Sequence, residues 1–203
     1  MVKSPAKAAF RARPLTPDRW PDLEAVFGPA GGYWGCWCMY WRAPRSDFTD
    51  PVKRTKLKSR FKRRVADGPP PGLIAYAPGG EPVGWAQVAP RLDVPNWNGP
   101  RRLSAPPETT EAEDPKVWAV NCFVVRRDWR GKGVAKALLA AAVAFARKNG
   151  ARFLDACPVD VNGEMRPPVS IYHGTAAMFE RAGFVEIARR RGDRPLVRLD
   201  LGP

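Results

Sequence analysis

The sequence predicts a mixed α/β fold, a sheet covered by helices, with no internal repeat. Three observations carry this. An apolar run, Val117 to Val125, leads through Arg130-Gly131-Lys132-Gly133-Val134-Ala135 into an alanine-rich amphipathic stretch, Val134 to Lys148, which is the order strand, glycine turn, helix. Leu73 to Ala77 and Val83 to Ala89, separated by Pro78-Gly79-Gly80-Glu81, read as a β-hairpin. Val185 to Arg190 and Leu196 to Leu201 read as a closing strand pair.

In chain order, Phe10 to Leu15 alternates loosely and forms a short first strand. Thr16-Pro17-Asp18 offers an N-cap followed by proline, starting a helix to about Val26 that Gly28-Pro29-Ala30-Gly31-Gly32 ends. Thr49-Asp50-Pro51 is a second such start, and Leu57, Phe61 and Val65 give that helix one apolar stripe. Gly68-Pro69-Pro70-Pro71-Gly72 stops it before the hairpin. Residues 90–116 hold Pro90, Pro95, Pro100, Pro106, Pro107 and Pro115 with almost no periodic apolar pattern, which predicts a long loop of the kind that is functional or disordered. After the strand at Val117 to Val125, residues Val134, Leu138, Ala141, Ala142 and Phe145 repeat at helical spacing, with Arg147-Lys148 in the last turn and Asn149-Gly150 as the stop. Phe153 to Cys157 is a fifth strand, and Thr175 to Ala182 a short helix.

At 203 residues the chain suits one well-cored domain, 1–203. No apolar run approaches the ~20 residues that span a bilayer. Met1 to Arg13 has lysines but no apolar stretch of a secretory signal, so a cytoplasmic location without a membrane partner is expected. Cys36, Cys38, Cys122 and Cys157 are few and unevenly spaced, which favours reduced thiols. The formal charge is +14, and residues 53–64 hold eight Lys or Arg and no acid. Such a surface attracts coenzyme A, nucleic acid or an acidic partner; the plainer reading is a solvated face in a chain rich in Arg, Ala and Pro.

The glycine turn is the most informative segment. Free N–H groups at a helix start, the positive end of the helix dipole and small residues together suit a polyphosphate. Spacing narrows the ligand. A Walker A loop needs a glycine five residues before Gly131, where Arg126 stands, and Ser or Thr after Lys132, where Gly133 stands. A dinucleotide fingerprint needs glycine at Lys136. What fits is Arg130-x-x-Gly133-x-Ala135, which resembles the Arg/Gln-x-x-Gly-x-Gly/Ala signature of the GNAT superfamily, acetyl-CoA-dependent N-acyltransferases. Phe123 to Trp129 resembles that family's lead-in, and Met178-Phe179-Glu180-Arg181-Ala182-Gly183-Phe184 its helix, Gly-Phe, strand ending. The resemblance runs from about Val117 to Leu201.

The resemblance implies a mostly antiparallel sheet of about six or seven strands, splayed between the fourth and fifth. It implies acetyl-CoA as acyl donor, with pantetheine contacts at Phe123, Val124 and Val125 and pyrophosphate contacts at Gly131, Lys132, Gly133, Val134, Ala135 and Lys136, Arg130 and Lys132 adding charge. Position 179, where many members place a tyrosine acid, is Phe179, and Tyr172 stands where many have a coenzyme-binding asparagine. Tyr172 and the lone His173 are the nearest replacement acids. For a base, Asn121 and Cys122 occupy the strand where some relatives carry glutamate, while Asp155 and Glu164 stand as further candidates, Asp155 equally suited to pair with an arginine. Tyr33, Trp34, Trp37, Tyr40 and Trp41 are five aromatics in nine residues and suit an acceptor wall for an apolar or cationic amine, or core packing. Cys36-x-Cys38 lacks partners for zinc beyond His173, Cys122 and Cys157, so no metal is expected.

The expected function is transfer of an acetyl group to a small-molecule or peptide amine, homodimerisation being open. The alternative is a catalytically degenerate coenzyme A binder or a basic nucleic-acid-binding module. Nucleic acid is not favoured, because the aromatics do not interleave with the basic run.

Overall fold

In the computed structural model, which describes residues 10–202, seven strands form one sheet. They are β1 (Arg11–Pro14), β2 (Gly72–Tyr76), β3 (Pro82–Pro90), β4 (Val117–Val125), β5 (Phe153–Ala156), β6 (Val185–Arg191) and β7 (Arg194–Asp200), in the order β1-β2-β3-β4-β5-β7-β6. Every neighbouring pair is antiparallel except β4 and β5. That exception follows from connectivity, since a helix crosses between those two strands and returns the chain in the same direction.

The helices are α1 (Trp20–Phe27), α2 (Ser46–Thr49), α3 (Pro51–Thr55), α4 (Leu57–Asp67), α5 (Val134–Lys148) and α6 (Ala176–Glu180). α5 covers one sheet face, burying Val134, Leu138, Leu139 and Ala142 with Ala86, Val88 and Val120. α1 and α4 cover the other, burying Leu23, Phe27, Leu57, Phe61 and Val65 with Ile74 and Trp85. The expected stripe at Leu57, Phe61 and Val65 is thus what α4 buries. β3 receives the start of α5 at Gly84, where a Cβ would come within 2.8 Å of Val134 Cγ1. This close approach fixes the glycine turn against the sheet.

One expectation is corrected. The helix expected from Thr49-Asp50-Pro51 is two pieces: Asp50 caps α3 by accepting from Val52 and Lys53 N–H at 2.8 and 3.1 Å, and α4 begins separately at Leu57, while α2 precedes the expected start. After β3, the chain from Arg91 to Lys116 has no further strand or α-helix, and part of it enters the interior. It contains short 3-10 turns at Arg91–Asp93, Pro95–Trp97 and Thr109–Ala112, and it buries Val94 and Trp97 against Ala119, Cys157 and Leu196. Its anchor is polar and therefore without periodicity. The fully buried Arg91 donates to Asp155 from Nε at 2.9 Å and Nη2 at 2.7 Å, and to the Ser104 carbonyl at 3.1 Å. Arg198 donates to the same carboxylate and to Glu111. Among the described residues no helix is long and apolar enough to cross a membrane.

Candidate active site

β4 and β5 pair only from Val117 opposite Phe153 to Ala119 opposite Asp155, and β4 then runs on alone to Val125. A bulge helps part them. On β3, Gln87 faces Cys122 and Val88 faces Val120, so Asn121 is an extra residue that bends β4. Backbone groups alternate along a strand, so those of Asn121, Phe123 and Val125 point into the gap. The chain itself meets part of that edge. Phe123 N–H donates to the Tyr172 carbonyl at 2.7 Å, and His173 Nδ1 lies 3.0 Å from the Asn121 carbonyl. Of the three β4 residues expected to meet pantetheine, Phe123 therefore has its amide engaged and its ring buried against Phe179. Val124 turns its side chain into a cavity, and the Val125 carbonyl accepts from Arg130 Nε at 3.1 Å.

At the open end of the gap lies the glycine turn. Gly131 and Gly133 have φ of 73° and 89°, the left-handed region that favours glycine. A Cβ on either would meet nothing within 4 Å, so their need is conformational and the space before them is open. The first hydrogen bond of α5 runs from Ala137 N–H to the Gly133 carbonyl, which leaves the amides of Val134, Ala135 and Lys136 at the helix start. Lys132 rests its ammonium 5.1 Å over the Trp129 ring, and Arg130 is tied back to β4, so both charges stay beside the turn. The residues present fit a pyrophosphate.

On the α1 and α4 side of β4 lies a cavity of about 300 Å³. Tyr33, Tyr40, Trp41 and Tyr172 supply its aromatic wall, Val124 and Val169 its aliphatic wall, and Cys36, Cys38 and Cys122 its thiols. No Asp, Glu, Lys or Arg lines it. The aromatic segment therefore divides. Trp37 is corrected to the core: it stacks between Trp20 and Phe27, with ring centroids 6.1 and 5.7 Å away, in space that Gly31 leaves, since a Cβ there would overlap its indole. Trp34 is exposed and stacks on Tyr33 outside the lining. Trp34, Trp37 and Cys38 all have left-handed backbone, at φ of 55°, 41° and 59°. Strain of this kind, about 1–3 kcal/mol per residue, persists where surrounding packing enforces it.

The expected proton carriers also divide. Tyr172 lines the cavity, and burial raises its hydroxyl well above the ordinary value, so it holds its proton. His173 is corrected: it lies outside the cavity lining, and burial pushes its imidazole down to about 3. It is neutral at physiological pH, with Nδ1–H donated to a carbonyl, and serves to pin the chain to β4. Asp155 is wholly consumed by Arg91 and Arg198, and Glu164 is exposed beside Arg166. Asn121 and Gln87 are fully buried, and their side-chain amides have no partner among the described residues. Such atoms mark places where a polar group of a ligand or solvent is held. Phe179 is fully buried against Phe123 and Phe184, an apolar core position.

Sequence reasoning missed the three thiols as a group. In sequence, Cys36 and Cys38 suggest a weak zinc pair and Cys122 a poor base or a zinc partner, because nothing in the spacing shows that the loop folds over β4. Trp85 Nε1–H donates to the Cys38 sulfur at 3.3 Å, and burial holds the Cys36 thiol up at about 11. The basic run is partly neutralised, Lys58 pairing with Glu24, Arg60 with Asp47 and Arg64 with Asp93.

The comparisons agree with this geometry. A GCN5-related N-acetyltransferase from Kribbella flavida aligns with a TM-score of 0.53 at 18% identity, covering 95% of this chain and 98% of that one. The GNAT domain of S. lividans PAT aligns at 0.53 and 21% identity, covering 94% and 90%. The PaiA N-acetyltransferase from Thermoplasma acidophilum, in complex with coenzyme A, aligns at 0.52 and 12% identity, covering 95% of this chain and 99% of that one. At these identities the structures establish the fold. No curated protein matches the sequence. The profile of the acetyltransferase (GNAT) family matches residues 34–166, which extends upstream of the glycine turn through the aromatic segment and stops short of Phe179. That span is well over half of the sequence, and the chain belongs to the acetyltransferase (GNAT) family.

Proposed function

We propose that the protein transfers the acetyl group of acetyl-CoA to an amine of a small molecule or peptide held in the cavity between β4 and the aromatic segment. Family membership makes the chain an acyltransferase with acetyl-CoA as donor. The observation that carries the acceptor assignment is continuity: the phosphate-sized turn, the β4 gap and the cavity follow one another along a single strand. In this reading the amides at the start of α5 and the cations of Arg130 and Lys132 hold the pyrophosphate. Pantetheine lies along Val125, and the thioester reaches the level of Val124. Tyr33, Tyr40 and Trp41 bury the acceptor by apolar area, without a counter-charge to select a polycation.

Amide formation needs an unprotonated amine, stabilisation of the oxyanion and a proton for the departing thiolate. Tyr172 is the proton donor in this reading, because it borders the cavity and keeps its proton. Calorimetry with acetyl-CoA at low and high salt tests the donor site. Saturable one-to-one binding that survives high salt is expected; a signal that salt abolishes would reduce the site to polyanion attraction. Tyr172→Phe should lower kcat by about 10-fold or more while leaving acetyl-CoA affinity nearly unchanged.

A further inference from the structure

We propose that Cys38, with Cys122 beside it, is the proton acceptor for the attacking amine. The inference rests on the acyltransfer reading of the cavity and fills the role that reading leaves open. The usual bases are spent elsewhere: Asp155 is locked between two arginines, Glu164 is exposed beside Arg166, and His173 is buried on a backbone carbonyl.

What the cavity does hold is a group of thiols assembled from distant segments, two from the loop after α1 and one from β4. The surroundings of Cys38 are those of an anion. Trp85 Nε1–H points at its sulfur from 3.3 Å. Arg42, with a side chain only 6% exposed, donates to the Cys38 carbonyl at 3.1 Å. Its Nε and Nη2 have no hydrogen-bond partner among the described residues, and its nearest carboxylate, Asp93 at 3.6 Å, is shared with Arg64. A buried guanidinium with donors to spare, an indole N–H and a neighbouring S–H all favour sulfur as thiolate. Burial alone raises the Cys38 thiol, but the neighbouring Cys122 thiol, the Arg42 charge and the Trp85 N–H outweigh it and hold it below its ordinary value. Cys122, the other thiol of the pair, is pushed well above its ordinary value by Cys38 and by burial. The other titratable groups lining the cavity are the Cys36 thiol and the Tyr40 and Tyr172 hydroxyls; burial keeps the proton on Cys36 and Tyr172, and Arg194 adds a second cation near Tyr172. Cys38 has left-handed backbone at φ 59°, and it borders both the cavity and the core.

The protons balance. As the amine nitrogen bonds to the thioester carbon, one N–H proton passes to the Cys38 sulfur. As the carbon–sulfur bond breaks, Tyr172 O–H protonates the departing CoA sulfur, and the phenolate recovers a proton from the thiol pair. One amide and one CoA thiol are formed, and both side chains return to their starting states. Cys38 is the catalytic residue; Arg42 and Trp85 are positioning residues that set its charge.

The test uses phenethylamine as acceptor, chosen for an uncharged aromatic cavity, with release of CoA thiol as the readout. Wild-type kcat/KM should fall as the solution is acidified through the titration of Cys38. Cys38→Ser should lower kcat by about 100-fold with acetyl-CoA Kd changed by less than about twofold. Arg42→Gln should move the acid limb upward by about one pH unit, which a purely structural arginine would not do. Cys157→Ser, a buried thiol outside the cavity, should leave activity unchanged. Thiolate absorbance in the ultraviolet, followed on native wild-type protein, gives a readout that does not depend on any variant folding: titration below the ordinary thiol range supports the assignment, and titration at or above it overturns it. Turnover that survives Cys38→Ser, an acid limb unmoved by Arg42→Gln, or acetyl-CoA binding without transfer to phenethylamine likewise overturns the base while the donor site stands. Wild-type protein that fails to bind acetyl-CoA refutes the acyltransfer reading itself.

Discussion

Tyr172 and His173 adjoin in the chain and stack at a ring separation of 3.8 Å, yet their environments give them different work. The tyrosine carbonyl takes the Phe123 amide and its ring faces the cavity, whereas the histidine is spent on the Asn121 carbonyl. A lone histidine in sequence invites a catalytic role; burial decides against it here, since a buried imidazole refuses its second proton. That refusal has a sign. The folded value, about 3, lies below the ordinary 6.5, so in the window between them the unfolded chain binds a proton that the native state does not. Stability is full above about 6.5 and falls on acidification, by up to about 1.4 kcal/mol per pH unit from this group. His173→Gln keeps an N–H for the Asn121 carbonyl and carries no titration. Urea denaturation from about pH 7 to about pH 4.5 should show a shallower loss in the variant; parallel curves would mean that the native imidazole is protonated after all.

The turn between β4 and α5 is where sequence and structure agree most closely, because its requirements are local. Glycines at two left-handed positions, an apolar strand before and helical spacing after are all written within one stretch of chain. Gly133→Glu should abolish acetyl-CoA binding, by placing a carboxylate in the open space that the φ of 89° faces. Gly133→Ala separates charge from strain: it carries the same left-handed penalty, about 1–2 kcal/mol, so a similar loss of Tm should come with a much smaller loss of affinity. Equal affinity loss in the two variants would indicate a collapsed turn. Elements whose reasons are not local were read less well. The break between α3 and α4 lies inside a run of helix formers, and it follows from Asp50 capping one short piece while Leu57 starts the buried stripe of the next. The cavity thiols illustrate the same limit. Their meeting depends on a loop that crosses the sheet with non-glycine residues in left-handed conformation, for which periodicity and composition carry no signal.

Across the whole molecule, charge has two separate uses. One is internal: Arg91, Asp155, Arg198 and Glu111 tie the segment after β3 to β5 and β7, replacing the apolar periodicity that segment lacks. Asp155→Ala strands two arginines, one of them fully buried, and should cost about 3–5 kcal/mol in chemical denaturation. Near-native stability would show that the network relaxes around the loss. The other use is external. Lys53, Arg54 and Lys56 on and after α3 are exposed, and α4, which follows them, packs on the sheet face opposite α5 and its phosphate turn. Two basic surfaces that composition lumps together as +14 are thus distinct in space. At physiological ionic strength the Debye length is about 8 Å, so charges on one face are screened from a ligand on the other. Replacing Lys53, Arg54 and Lys56 by Gln should weaken retention on heparin yet change acetyl-CoA affinity by less than about twofold. A tenfold loss of acetyl-CoA affinity in that variant would show instead that the basic helices contribute to the donor site and that the two surfaces act as one.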